Sequence, residues 1–435
     1  MSLARTTQGT LRGHHEDGVL TFRGVRYATA ERFGTPRPVE PWTGVRDAVT
    51  DGPIAPQLPS RLEPVMGAPE PHEQGEDCLS LTITTPDADD RARPVLVFLH
   101  GGAWVSGAGS WNWYAPHRLT RTGDIVAVTV NYRLGALGYL NAPGISEGNL
   151  GLLDQLAALR WVRENIAAFG GDPERITIAG QSAGAHSVYC LLGLPEAAGL
   201  FRRAIVQSVP AGMGLGSPEE TRTGSARFLG ELGEDPRTAP IDRILAAQQR
   251  TMVATAGRFG LHALPPFHPG GLLTEQVWQA TMTRRAPELD VLIGTTAEET
   301  AAFYRRNPVL SRVPLLERIS GAMLFGRPSS ALAGRLTKAG ARVWRYRFDY
   351  AAPESEFGAT HCIELPFLFG DQRAWAGSPM LAGATERELE ELRRPVQAAW
   401  LGFISQGDPG WDRVRTRCWG SSRPGHAPAA GTPAG

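Results

Sequence analysis

Lysine is almost absent from this chain of 435 residues: Lys338 is the only one, and arginine supplies the rest of the 44 basic side chains. An equal 44 Asp and Glu leave no formal net charge. Nucleic-acid and anionic-membrane proteins need a net basic surface, so neither partner is expected. The arginine excess itself reads as compositional bias rather than anion recognition. Cysteine is also scarce. Cys78, Cys190, Cys362 and Cys418 lie far apart with no C-x-x-C pair, which argues against a zinc site, a thioredoxin motif or a disulfide scaffold. No apolar run approaches the ~18 residues of a membrane helix. The opening Met1-Ser2-Leu3-Ala4-Arg5-Thr6 leads into polar residues without the apolar core of a signal peptide. A cytoplasmic location is expected, and no internal repeat is found.

What the chain does have is 42% hydrophobic residues, enough for a large core. Short β-branched runs at 94–99, 125–130, 176–179, 204–207, 290–293 and 343–348 read as buried strands. Leu152, Leu153, Leu156, Leu159 and Val162 recur at helical spacing, so a helix is expected over 150–169. Strand, helix, strand in this order implies an α/β fold with a mostly parallel sheet and helices on both faces. The first 90 residues, rich in Gly and Pro, suggest an antiparallel N-terminal edge. Residues 1–419 are expected to form one domain and 420–435 a disordered tail.

Gly180-Gln181-Ser182-Ala183-Gly184 is a G-x-S-x-G sequence between the strand at 176–179 and an apolar segment. That is the setting of a nucleophile elbow, which exposes Ser182 above the strand ends. His100-Gly101-Gly102-Ala103-Trp104 follows another strand end, and its backbone N–H groups could face a developing oxyanion. Strand-end order in such folds places acid and histidine after the nucleophile. His14, His15, His72, His100 and His117 precede Ser182, and His186 lies on the elbow helix pointing away. His262 and His268 leave little room for an acid, and His426 falls in the expected tail. His361 remains. The acid candidates are Glu298 and Glu299, after the strand at 290–293, with Asp349 and Glu354 weaker.

These pieces, with Gly24-Val25-Arg26-Tyr27-Ala28, Glu76-Asp77-Cys78-Leu79-Ser80-Leu81, Asn131-Tyr132-Arg133-Leu134-Gly135 and the run from His361 to Gly370, resemble the type-B carboxylesterases of the α/β-hydrolase superfamily. Cholinesterases and bacterial p-nitrobenzyl esterases belong to that family. The resemblance spans about Gly24 to Pro409. It implies a serine carboxylesterase with Ser182 as nucleophile, His361 as base and Glu299 as acid. It also implies oxyanion donors at Gly102, Ala103 and Ala183, and a small-molecule ester as partner. No metal or cofactor is required. Two ion pairs are implied, Arg133 with Asp154 and Arg32 with Glu76, and Ser208 is expected to donate to the Glu299 carboxylate. Cys78 lacks its usual partner, because Ala55 stands before Pro56-Gln57.

Thr300 replaces the usual Gly after the acid, and the stretch from Glu299 to His361 is short for the family. A thinned roof over Ser182 is therefore expected, favouring acyl groups of two to six carbons. The alternative is a non-catalytic or inactivated cholinesterase-like binding protein, and such non-catalytic members typically lack the nucleophile.

Overall fold

The computed structural model describes residues 2–255, 266–370 and 372–420. Its strands are β1 (Ser2–Arg5), β2 (Thr10–Glu16), β3 (Val19–Arg26), β4 (Val45–Asp47), β5 (Ser80–Thr85), β6 (Arg93–Leu99) and β7 (Val126–Val130). A small hairpin, β8 (Asn141–Ala142) and β9 (Ser146–Glu147), is followed by β10 (Gly171–Gln181), β11 (Arg203–Gln207), β12 (Asp290–Thr296), β13 (Arg342–Phe348) and β14 (Thr416–Trp419).

All but the hairpin join one sheet in the order β1-β2-β3-β5-β7-β6-β10-β11-β12-β13-β14, with β4 beside β2. From β1 to β7 along that path, neighbours run antiparallel. From β7 to β14 they run parallel. The crossovers explain the difference. Short turns permit the antiparallel pairing of β1, β2 and β3, whereas the parallel strands are joined through helices.

Alternation along β6 shows how the sheet is buried on both faces. Val95, Val97 and Leu99 pack with Leu152, Leu156 and Leu159 of the helix Leu150–Asn165 and with Val188 and Leu192 of the helix Ala183–Gly193. Leu96 and Phe98 point the other way, toward Val396, Trp400 and Phe403 of the helix Glu386–Gln406. Each such large apolar side chain contributes about 1.5–3 kcal/mol by leaving water. A period-2 pattern with both phases apolar is what a central parallel strand requires.

The six expected strands all form, with shifted ends. β10 starts at Gly171, five residues before the apolar run, and β12 continues to Thr296, carrying the chain to the acidic pair. The helix expected over 150–169 is α-helical to Asn165 and closes as a 3-10 turn, Ile166–Phe169. Apart from Gly420, the expected tail lies outside the described residues.

Candidate active site

Ser182 sits between β10 and the helix Ala183–Gly193 with φ +57° and ψ −120°. A non-glycine residue held there costs of order 1–3 kcal/mol and needs support from its surroundings. Its N–H donates to the Gln207 carbonyl of β11 (2.9 Å), and its own carbonyl accepts from the His186 N–H (2.9 Å). The flanking glycines leave no room for side chains. A Cβ on Gly180 would stand 2.4 Å from the Gly184 backbone, and one on Gly184 would stand 2.1 Å from the Leu99 carbonyl oxygen.

The loop after β6 is also left-handed, with φ +112° at Gly102, +55° at Ala103 and +58° at Trp104. A Cβ on Gly102 would lie 2.0 Å from the Ser106 carbonyl oxygen. Among the described residues, the N–H groups of Gly102 and Ala103 have no hydrogen-bond acceptor. The Ala183 N–H opens its helix and has no intrahelical acceptor by position. Ala103, Ser182 and Ala183 line one cavity of about 590 Å³, within the usual range of small-molecule sites.

His361 is buried, and its Nδ1 lies 2.6 Å from Glu299 Oε2. The other Glu299 oxygen accepts from the Thr296 N–H at the end of β12 (2.8 Å). The adjacent Glu298 does something else: it accepts from the Ala359 N–H (2.9 Å) and pairs with Arg305. Thus one carboxylate orients the imidazole, and its neighbour ties down the loop that carries it. On the far side of the ring, Nε2 faces the Gln181 side-chain amide at 3.2 Å. With Nδ1–H given to Glu299, this nitrogen is an acceptor and Gln181 donates to it. The Ser182 hydroxyl makes no hydrogen bond to the imidazole in this arrangement. Nothing in the sequence pointed to the Gln181 contact.

The other buried histidines are held by carbonyls. His100 Nδ1 lies 2.7 Å from the Gly101 oxygen and stacks on Tyr132, and burial lowers its pKa to about 4. His186 Nε2 lies 2.7 Å from the Gly214 oxygen and is also lowered by burial to about 4. His268 Nδ1 lies 2.8 Å from the Pro269 oxygen. His262 and His426 fall outside the described residues. Of the weaker acid candidates, Asp349 pairs with Arg347.

The expectation for Ser208 is corrected. Its residue is buried with φ +50°, but its hydroxyl has no hydrogen-bond partner, Glu299 included. Both Glu299 oxygens are already engaged, by Thr296 and His361, so no donation from Ser208 is needed to orient the carboxylate. The ion pairs do form as contacts. Arg133 Nη2 and Nε reach the two Asp154 oxygens at 2.7 and 2.8 Å, in a buried position, and Arg133 also donates to the Gly34 carbonyl. Arg32 grips Glu76 at 2.6 and 2.8 Å in a half-buried position.

A second buried carboxyl, Glu364, was not anticipated. One oxygen faces Gln207 Nε2 at 3.5 Å and the other has no partner. Burial, and then the charge on Glu299, push its pKa from 4.5 up to about 7. An unfolded chain therefore releases this proton near pH 4.5 while the folded protein keeps it to about pH 7. Stability contributed by this group is full below pH 4.5 and is lost as pH rises toward 7, by about 3 kcal/mol at most. Glu364→Gln should thus gain in Tm over the wild type progressively from pH 5 to 8. A Tm difference independent of pH would contradict this.

The segment between Glu299 and His361, short as it is, walls the site. Between Glu299 and His361 run the helices Ala301–Tyr304 and Pro314–Gly321, a π turn (Ala322–Gly326) and the helix Arg327–Lys338. This segment supplies Phe303, Leu310, Leu324 and Phe325 to the cavity wall, and the rings of Phe303 and Phe325 flank His361. Thr300, the residue that departs from the family pattern, donates its hydroxyl to the Glu317 carbonyl (2.6 Å) and so fastens the second helix to the acidic loop. A short connection still walls the site because it is packed as helices.

Comparison with known proteins identifies the family. The model of the carboxylesterase family matches residues 2–311 and 309–422. A probable N-octanoylanthranilate hydrolase from Rhodococcus erythropolis is 46% identical, over 94% of this chain and 94% of its own. The para-nitrobenzyl esterase of Bacillus subtilis is 34% identical, over 95% of this chain and 91% of its own. The crystal structure of a Geobacillus stearothermophilus carboxylesterase superposes with a TM-score of 0.81 at 33% identity, covering 96% of this chain and 93% of that one. With an α/β-hydrolase sheet and ester-hydrolase relatives along its whole length, the chain belongs to the carboxylesterase family.

Proposed function

We propose that the protein is a serine esterase working through an acyl-enzyme, with Ser182 as nucleophile, His361 as general base and Glu299 as the acid that orients it. The observation that carries this reading is the 2.6 Å contact between His361 and Glu299, at the strand ends beside a Ser182 held at positive φ. In the proposed cycle the Ser182 hydroxyl displaces the Gln181 amide from His361 Nε2. Catalytic hydrogen bonds of this kind are often loose before substrate binds. Ser182 attacks the acyl carbon as His361 takes its proton, and Glu299 stabilises the imidazolium. The N–H groups of Gly102, Ala103 and Ala183 hold the oxyanion, each worth roughly 2.7–4 kcal/mol if comparable to measured donors. His361 then protonates the leaving alcohol and activates water for deacylation.

The name of the Rhodococcus relative favours a second bond type for the same site, the amide of an acylated aromatic amine. Amide and ester share the tetrahedral intermediate, so no residue changes role. The continuous sheet from β1 to β14 supports reading residues 1–419 as one domain. Four free cysteines support a reducing, cytoplasmic setting.

Hydrolysis of p-nitrophenyl esters of two to eight acyl carbons tests the function. With Phe303, Leu324 and Phe325 around the nucleophile, kcat/KM should rise with chain length by up to about fourfold per methylene, the equivalent of ~0.8 kcal/mol, until the cavity is filled. A profile that falls from two carbons onward would contradict an apolar acyl wall, and no turnover of any ester would refute the esterase reading.

A further inference from the structure

Half of the twelve large apolar side chains that stand exposed among the described residues fall within 303–323, in the roof over Ser182. Scattered singly, such residues need no explanation, but a cluster marks a surface that meets something. The helix Pro314–Gly321 shows how the cluster arises, because it is built inside out. Its one buried residue is Ser320, whose hydroxyl lies 2.6 Å from that of Tyr304. Glu317, three positions earlier on the same face, turns inward to pair with Arg305 at 2.9 Å, and its carbonyl accepts from Thr300. Leu315 and Ile319, four apart and so stacked on one face, are left 65% and 45% exposed. Met323, a further four along in the π turn Ala322–Gly326, is 62% exposed, and Val309 and Val313 precede the helix at 70% and 45%.

The free charge on this stretch is of one sign. Arg306, Arg312, Arg318 and Arg327 are exposed and have no carboxylate partner among the described residues, while the only acid between Phe303 and Arg327, Glu317, is taken by Arg305. Arg318 belongs to the helix itself, next to Ile319, and Arg312 ends the 3-10 turn Leu310–Arg312 just before it. A net charge of zero over the whole chain is compatible with this local excess. A second copy of the chain fits the patch poorly, because a two-fold contact sets the patch against itself and brings like charges together. An anionic lipid surface answers both features: the apolar side chains enter the acyl boundary and the guanidinium groups meet phosphates. Phe303 joins the patch to the cavity, since it is 37% exposed and lines the wall beside Leu310 and Leu324. We propose that the exposed face of residues 303–327 docks on an anionic phospholipid bilayer and sets the cavity over Ser182 at the lipid boundary. The docking stands on the surface alone; the passage of bilayer-dissolved esters to Ser182 rests on the acyl-transfer reading.

The test is sedimentation with vesicles of phosphatidylcholine, alone or with about a third phosphatidylglycerol. Wild-type protein should sediment with the mixed vesicles, far less with phosphatidylcholine alone, and the binding should weaken as salt is added. Arg312→Gln and Arg318→Gln should each lower the partition coefficient by about fivefold. Leu315→Gln combined with Ile319→Gln should lower it by about tenfold or more. Glutamine is a good helix former at exposed positions, so thermal unfolding and turnover of a dissolved short-chain p-nitrophenyl ester should be unchanged. Were the double variant to melt early, the two arginine variants would decide the matter alone. Absence of vesicle binding, equal binding to both kinds of vesicle, or binding indifferent to these substitutions would overturn the proposal. So would a concentration-dependent dimer, seen by analytical ultracentrifugation, that the double variant abolishes while vesicles bind nothing. The same variants should slow hydrolysis of a long-chain ester carried in the mixed vesicles. If wild-type protein binds those vesicles but hydrolyses no ester, dissolved or carried, the docking holds and the acyl-transfer reading fails.

Discussion

Ser182→Ala should lower kcat on a p-nitrophenyl ester by about 10⁶, the scale on which nucleophile knockouts act in serine hydrolases. Removing the hydroxyl leaves the remaining groups without a bond to make. The oxyanion donors and the cavity can still bind an ester, but what persists is only the residual rate over water from binding and electrostatics, roughly 10³–10⁴-fold. The substitution should not disturb the fold, since alanine keeps a Cβ at the same backbone angles and the hydroxyl makes no hydrogen bond to lose. Retention of more than a few per cent of activity, with unchanged thermal unfolding, would remove Ser182 from the nucleophile's role.

Glu299→Gln should cost about 10⁴ in kcat, and Glu298→Gln far less. The reason lies in the two bonds Glu299 makes. Its Oε1 takes the Thr296 N–H, and only the amide oxygen of a glutamine can keep that bond. The new NH₂ is then forced toward His361 Nδ1, where the carboxylate now accepts. Facing a donor, the ring adopts the other tautomer, with its proton on Nε2, and can no longer receive one from Ser182. Glu298 bonds the Ala359 N–H and Arg305, so its loss should loosen the histidine loop and lower Tm more than it lowers kcat. Steady-state kinetics and thermal melts on the two variants decide the matter, and the reverse ranking would move the acid by one residue.

How much of this was legible in the sequence depended on what sets each feature. The parallel strands were readable because burial on both faces leaves continuous apolar runs, as in Val95 to Leu99. β14, Thr416–Trp419, was not: three of its four residues are exposed, and an edge strand of that kind carries no apolar pattern. The choice of His361 followed from chain order, since a fold that places the nucleophile first limits where the base can come from. Glu298 and Glu299 could not be separated by residue type. Adjacent side chains diverge, and only the backbone after β12 decides which one meets the ring.

Contacts between distant side chains were the least readable. The Gln181 amide on His361, the buried Glu364 and the idle hydroxyl of Ser208 each depend on rotamers and packing, for which spacing carries no signal. How the roof is built was unreadable for a related reason. Chain length between Glu299 and His361 measures how many residues are available, whereas the wall depends on whether they pack as helices. Thr300 illustrates this. In sequence it is only a departure from the family's glycine, and in the structure its hydroxyl anchors the roof helix through Glu317.

The central claim is that acyl transfer passes through Ser182, and rapid-quench mass spectrometry tests it most directly. Mixing the enzyme with a p-nitrophenyl ester under excess substrate should release a burst of up to one equivalent of nitrophenol per chain if deacylation limits turnover. Quenched samples should carry the acyl mass on Ser182 within milliseconds to seconds, and the Ser182→Ala protein should show neither burst nor adduct. An acyl group found on another residue, or full turnover by Ser182→Ala, would contradict the account.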